Sequence, residues 1–210
     1  MLIKICGITN IKDALYAEKL GADIIGMIFA QSPRKITILK AKKIIDALKM
    51  STKKAGVFVN EDIKKVNEII NKLKLDFVQL HGDEPIQYIK KIKGAKIIKA
   101  IRVKNRRQIL NDIKKYKNTV HLFLFDTYDK KMKGGTGKSF NWNLIKGVKV
   151  PFLVAGGIGC HNVKDVIKQL KPYGVDINSA VEKYPGKKDV RKLKLLFKEI
   201  KNLRCKDEIT

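Results

Sequence analysis

The sequence predicts an α/β protein, a single-domain (β/α)8 TIM barrel. Three observations lead there. The chain has 210 residues, 44% of them hydrophobic, enough to bury one sizeable core. Eight short apolar runs end near Gly, Asn, Thr or Asp, and each precedes a segment of helical period. Nothing between them is long enough to hold another domain. Eight uninterrupted βα units bury both faces of a parallel sheet, which favours a closed barrel over an open doubly wound sheet.

Strand one is expected at Leu2–Cys6, followed by a helix at Ile11–Leu20 that Asn10 caps and Gly21 stops. Strand two at Asp23–Phe29 leads to a helix at Leu39–Met50, and strand three at Ala55–Val59 to one at Asp62–Leu73, with Asn60 as its cap. Strand four, Phe77–Leu80, precedes a helix at Pro85–Ile92 whose first turn Pro85 preorganises. Strands five and six, Ile97–Ile101 and Leu122–Asp126, precede helices at Arg106–Tyr116 and a very short one at Asn143–Ile145. Strand seven, Phe152–Ala155, and strand eight, Gly174–Ile177, precede helices at Asn162–Leu170 and Val190–Leu203. The barrel therefore covers residues 1–205, and residues 206–210, "KDEIT", have no apolar period and should fray.

The formal charge of +26 would attract any polyanion. Its texture argues otherwise: only six of the 46 basic residues are arginine, and the lysines spread over nearly every helical segment. Surfaces that read bases or clamp phosphates draw on arginine forks and aromatic platforms. We therefore expect solvated helix faces and no specific nucleic-acid partner. No stretch reaches the ~20 apolar residues of a membrane span, and "MLIKICGIT" lacks a signal pattern, so no membrane partner and a cytoplasmic location are expected. Cys6, Cys160 and Cys205 form neither a disulfide framework nor a metal-ligand spacing, so no metal is assigned.

In a barrel of this kind, chemistry sits at the C-terminal strand ends and the loops after them. Cys6 ends strand one, Arg34 lies in the loop after strand two, and Asp126 ends strand six. Asp126 follows Leu122–Phe125, where desolvation would favour a protonated carboxyl able to act as general acid; the other reading is a loop cap. Cys6 is either a small buried hydrophobe or, as thiolate at the barrel mouth, a base for a carbon-bound proton. "AGGIG" at Ala155–Gly159 and "INSAVE" at Ile177–Glu182 place backbone amides after strands seven and eight, where barrels often hold phosphate. The same glycines would also simply permit tight turns. "KGGTGKSFNW" at Lys133–Trp142 has the composition of a lid but not the spacing of a nucleotide-binding loop. Gln79 and His81 end strand four and should face the site in a supporting role.

Taken together and in order, "KICGIT", "SPRKI", "GVFVN", "VQLHGDE", "FDT…GGTGKSFNW", "AGGI…NV" and "VDINSAVEKYPGKKD" resemble the phosphoribosylanthranilate isomerase family from Leu2 to about Asp189. The resemblance implies an Amadori rearrangement of a small-molecule sugar phosphate in tryptophan biosynthesis, without metal or organic cofactor, by a monomer or homodimer. It implies Asp126 as general acid and Cys6 as general base, and Arg34 on the anthranilate carboxylate. Gly156, Gly157, Ser179 and Ala180 would surround the phosphate, with Gln79 and His81 also at the substrate.

The departures from the family pattern fall near the phosphate. Asn178 and Ala180 stand where serine and glycine are commoner, so the backbone at position 180 must accept a Cβ. Two rivals compete with this reading. Other phosphate-binding barrel enzymes share the anion site, yet the paired aspartates of the histidine-pathway isomerase are not offered here. A nucleic-acid-binding protein would account for +26 but for none of the strand-end motifs.

Overall fold

The computed structural model describes residues 1–127 and 140–207, with side chains described through Leu203. Eight parallel strands close into a barrel in sequence order. They are β1 (Leu2–Ile5), β2 (Ile24–Ile28), β3 (Lys53–Phe58), β4 (Phe77–Leu80), β5 (Lys96–Val103), β6 (Leu122–Thr127), β7 (Phe152–Val154) and β8 (Gly174–Ile177). Pairing of β1 with β8, from Leu2 opposite Gly174 to Ile5 opposite Ile177, closes the ring. Around it lie α1 (Ile11–Leu20), α2 (Ile38–Ala47), α3 (Ile63–Leu73), α4 (Ile86–Ile89), α5 (Arg106–Tyr116), α6 (Val163–Leu170) and α7 (Val190–Asp207).

Strand alternation divides the core in two. Outward residues such as Ile3, Ile5, Ile25, Val78, Phe125 and Val175 pack against the helices. Inward residues, including Ile24, Ala55, Phe77, Ile98, Leu122 and Leu153, fill the barrel itself. Each of the larger aliphatic and aromatic side chains contributes about 1.5–3 kcal/mol when fully buried. A smaller inner group of Cys6, Ile28 and Val57 forms the floor of the C-terminal mouth.

The helix ends show where local sequence decides. Asn10 accepts from the amide of Asp13 at 3.0 Å, and Gly21 ends α1 with φ 105°, a left-handed conformation natural to glycine. Asn60 does not cap α3. It has φ 47°, and its side chain accepts from Asp83 N at 2.8 Å, tying two loops together. Asp62 does the capping, accepting from Lys64 N at 2.9 Å and Lys65 N at 3.1 Å. Pro85 sits just before α4, which closes after one turn rather than continuing to Ile92.

Four further differences are local. Helix α2 begins at Ile38, after Thr37 has accepted from Lys40 N. The short sixth helix is a single 3-10 turn over Trp142–Leu144. Helix α7 runs past its expected end at Leu203 to Asp207, while residues 208–210 fall outside the described residues. The chain also adds an antiparallel hairpin of β9 (Glu182–Tyr184) and β10 (Lys187–Lys188), which the helical and strand periods did not reveal because both strands are so short.

Candidate active site

A cavity of about 310 Å³ opens at the C-terminal mouth of the barrel. It brings together Cys6 after β1, Arg34 after β2, Gln79 and His81 at the end of β4, Asp126 on β6, Gly156 and Gly157 after β7, and Ser179 and Ala180 after β8. All nine sequence-predicted site residues therefore line one space. The expected lid falls largely outside the described residues: residues 133–139 are not described, whereas Phe140 and Trp142 pack against the core.

Asp126 is buried, and its two oxygens face different partners. Oδ1 accepts from the amide of Thr127 at 2.8 Å, so the loop-capping reading is realised. Oδ2 stands 3.2 Å from His81 Nε2. That pair is close enough for electrostatic attraction but not aligned for a hydrogen bond, leaving Nε2 unsatisfied among the described residues. Gln79 Nε2 meets His81 Nδ1 at 3.1 Å. An amide in this orientation donates to Nδ1, which leaves Nε2, on the side of Asp126, as the donor of the imidazole.

Glycine is required beside this carboxylate. Gly156 has φ 80°, and a Cβ there would collide with the Thr127 hydroxyl and stand 2.9 Å from Asp126 Oδ1. Position 180 raises no such difficulty: Ala180 is absent from the positive-φ residues, so its methyl group is accommodated without strain.

Arg34 reaches across the mouth to Glu182. Its Nε lies 2.9 and 3.1 Å from the two carboxylate oxygens, and its Nη2 lies 2.7 Å from Oε2. Glu182 also accepts from Lys188 Nζ at 3.1 Å and from the amide of Gly186 at 3.2 Å. Burial would raise the Glu182 carboxyl, but Arg34 and Lys188 outweigh it and hold it below the usual carboxylate range. Lys188 donates to both Asn178 oxygens as well, at 3.0 and 3.1 Å, and burial pulls its ammonium below the ordinary lysine value.

Cys6 is a free, buried thiol. Burial pushes it above the ordinary cysteine range, Lys4 and Lys188 pull it down, and Asp176 adds to the rise. Glu182, Lys188, Lys4 and Asp176 were not singled out from sequence. Lys4 had a readable signal, because alternation places it on the same strand face as Cys6; Glu182 had none, since its partner is 148 residues away. Among the described residues, no group of three or more His, Cys, Asp or Glu is placed to hold a metal ion, and no helix is long and apolar enough to cross a membrane.

A profile of the family described as N-(5'-phosphoribosyl)anthranilate (PRA) isomerase matches residues 3–199. The chain is 44% identical over 207 residues to the N-(5'-phosphoribosyl)anthranilate isomerase of Clostridium acetobutylicum, covering 96% of this chain and 98% of that protein. Its fold is similar to the crystal structure of phosphoribosyl anthranilate isomerase from Thermotoga maritima, with a TM-score of 0.89 and 35% identity, covering 96% of this chain and 99% of the other. A phosphoribosyl anthranilate isomerase in complex with reduced 1-(o-carboxyphenylamino)-1-deoxyribulose 5-phosphate is also similar, with a TM-score of 0.84 and 35% identity over 96% of this chain and 100% of that one.

Proposed function

Because the chain belongs to the phosphoribosylanthranilate isomerase family of tryptophan biosynthesis, we propose that its cavity rearranges N-(5-phosphoribosyl)anthranilate to 1-(2-carboxyphenylamino)-1-deoxyribulose 5-phosphate with Asp126 as general acid and Cys6 as general base. The observation that carries this reading is the convergence of a buried carboxyl from β6 and a thiol just after β1 on one cavity that also holds Arg34.

The proton bookkeeping needs two groups. Asp126 donates to the furanose ring oxygen as the C1–O bond breaks, and the nitrogen lone pair completes a Schiff base at C1. Cys6, as thiolate, removes the proton from C2, and the electron pair moves through C2–C1 onto nitrogen to give an enolamine. Tautomerisation of the enol at C2 then yields the ketone. C2 is oxidised and C1 reduced within the same molecule, so the sequence calls on no external redox partner, and proton transfers at the ring oxygen and C2 carry it.

Arg34 is fit to grip the anthranilate carboxylate in spite of Glu182. The pairing with Glu182 uses its Nε and Nη2 edge, and the end of the guanidinium formed by Nη1 and Nη2 still presents a fork. Backbone amides about Gly156, Gly157, Ser179 and Ala180 receive the phosphate, where the turns after β7 and β8 leave small side chains at the rim. Gln79 and His81 orient Asp126 from the side. The same reading places the protein in the cytoplasm, in keeping with free Cys6 and Cys160 thiols.

The test is the loss of anthranilate-type fluorescence when purified protein meets freshly made phosphoribosylanthranilate. Enzyme-dependent decay that Cys6→Ala and Asp126→Ala each reduce by about 100-fold or more supports the roles. Decay at the wild-type rate in either folded variant removes that residue from the proton transfers.

A further inference from the structure

Cys6 is not the only functional group on its strand face. Ile3 and Ile5 pack outward against the helices, so alternation along β1 turns Lys4 and Cys6 together into the barrel. Lys4 is fully buried, and its Nζ lies 2.9 Å from each carboxylate oxygen of Asp176, its register partner on β8. The facing position on β2 is Gly26. A Cβ there would stand 2.8 Å from Cys6 Sγ and 3.2 Å from Lys4 Cε, so the missing side chain makes room for both. Elsewhere the barrel interior is filled by apolar residues such as Ile24, Phe77, Ile98 and Leu122. Burying an ammonium and a carboxylate among them costs several kcal/mol per ion before pairing, and apolar side chains of similar volume would pack the same space.

We propose that Lys4, held in place by Asp176, is the counter-charge that stabilises the Cys6 thiolate, and is thus a positioning residue for proton abstraction. The proposal rests on the reading of Cys6 as the base. Burial opposes ionisation of Cys6, and Lys4 is the strongest influence in the other direction. Burial would also lower Lys4, but Asp176 and then Cys6 hold its ammonium above the ordinary lysine value. The other charged or titratable groups toward Cys6 are Lys188 on β10 and, across the cavity, Arg34, His81 and Asp126. Lys188 is committed to Asn178 and Glu182 at the rim. Asp176 also moderates: a thiolate facing an unshared ammonium would ionise readily but be a weaker base toward carbon.

The experiment is the pH dependence of Cys6 alkylation by iodoacetamide in the full chain, read at the Cys6 peptide by mass spectrometry so that Cys160 and Cys205 do not contribute. In Lys4→Met the midpoint should move to higher pH, slowing alkylation below it by about tenfold or more. That variant leaves Asp176 unpaired, so the deciding chain is Lys4→Met with Asp176→Asn, which restores neutrality by removing the weaker, opposing influence of the carboxylate together with the cation. The midpoint should remain above wild type; a return to the wild-type midpoint overturns the proposal. If the double variant does not fold, titration of the Lys4 ammonium by nitrogen NMR in Cys6→Ser decides. It should fall relative to wild type, because the anionic partner is gone, and an unchanged titration overturns the proposal. These readouts need no substrate. Full turnover by Cys6→Ala would instead remove the base assignment, whatever the titrations show.

Discussion

Arg34 and Glu182 form a buried two-edged ion pair across the barrel mouth, with Nη2 2.7 Å from Oε2 and Nε 2.9 Å from Oε1. The pair links the loop after β2 to the start of the β9–β10 hairpin, and Lys188 and the Gly186 amide share the same carboxylate. Glu182 thus sets where Arg34 points. Glu182→Gln keeps the shape but removes the charge, so we expect KM to rise by about tenfold with kcat less affected, as ground-state binding is lost uniformly. Equal KM values in steady-state kinetics would separate Arg34's aim from Glu182. Glu182→Ala, which leaves a buried guanidinium without its partner, should also cost about 3–5 kcal/mol of stability.

The same pair has a pH signature. The Glu182 carboxyl is held below its ordinary value by Arg34 and Lys188 against the opposing effect of burial. A depressed carboxyl stabilises the fold fully above its unfolded value of about 4.3, and the contribution is lost as pH falls through the lower folded value. The difference in unfolding free energy between wild type and Glu182→Gln should therefore be largest at neutral pH and shrink in acid below that range. Urea midpoints at neutral and acid pH check this; a difference that grows in acid would contradict the sign.

Cys6 is shifted in the opposite direction, upward, and the consequence is read in activity. Burial raises its thiol above the ordinary cysteine value of about 8.5, and Lys4 and Lys188 only partly offset it. With the Cys6 thiolate as the proposed base, kcat/KM should still be climbing at about pH 8.5. A pH–rate profile of the wild-type enzyme, corrected for substrate breakdown, measures it. A flat profile across the alkaline range would mean that ionisation of Cys6 does not limit the rate.

Most of the barrel was legible in the sequence because alternation and helical period act over short windows. Each predicted strand overlaps an observed one, and Asn10 and Gly21 bound α1 as their chemistry requires. The errors come from tertiary contacts. Asn60 looks like a cap, yet Asp83 takes its side chain and leaves the capping to Asp62. The β9–β10 hairpin has too few residues for a period to register, and α7 continues through polar Lys206 and Asp207 without an apolar repeat to mark it. The site follows the same division. Strand ends located Cys6, Asp126, Gln79 and His81, whereas Glu182, Asp176 and Lys188 gain their roles only when β8 and the hairpin fold back beside β1 and Arg34.

The neighbourhood of Asp126 separates donation of a proton from its direction. Gly156 is fixed by the carboxylate's own position, since a methyl group there would meet the Thr127 hydroxyl and Asp126 Oδ1. Gly156→Ala should therefore lower kcat by displacing the acid. His81 stands on the other side: the Gln79 amide donates to its Nδ1, and its Nε2 lies 3.2 Å from Asp126 Oδ2. Substrate binding could bring that pair into alignment, since catalytic hydrogen bonds are often long without substrate and tighten in the reacting complex. His81→Asn should then reduce kcat by about tenfold, less than the loss of about 100-fold or more for Asp126→Ala, because it alters aim and not the supply of the proton. Gln79→Met should weaken kcat in the same direction, through the freed imidazole. Combining His81→Asn with Asp126→Ala tests the hierarchy by rapid-mixing turnover. If His81 works through Asp126, the double variant is no slower than Asp126→Ala alone; a further tenfold loss would mean that His81 acts on the substrate independently of the carboxylate.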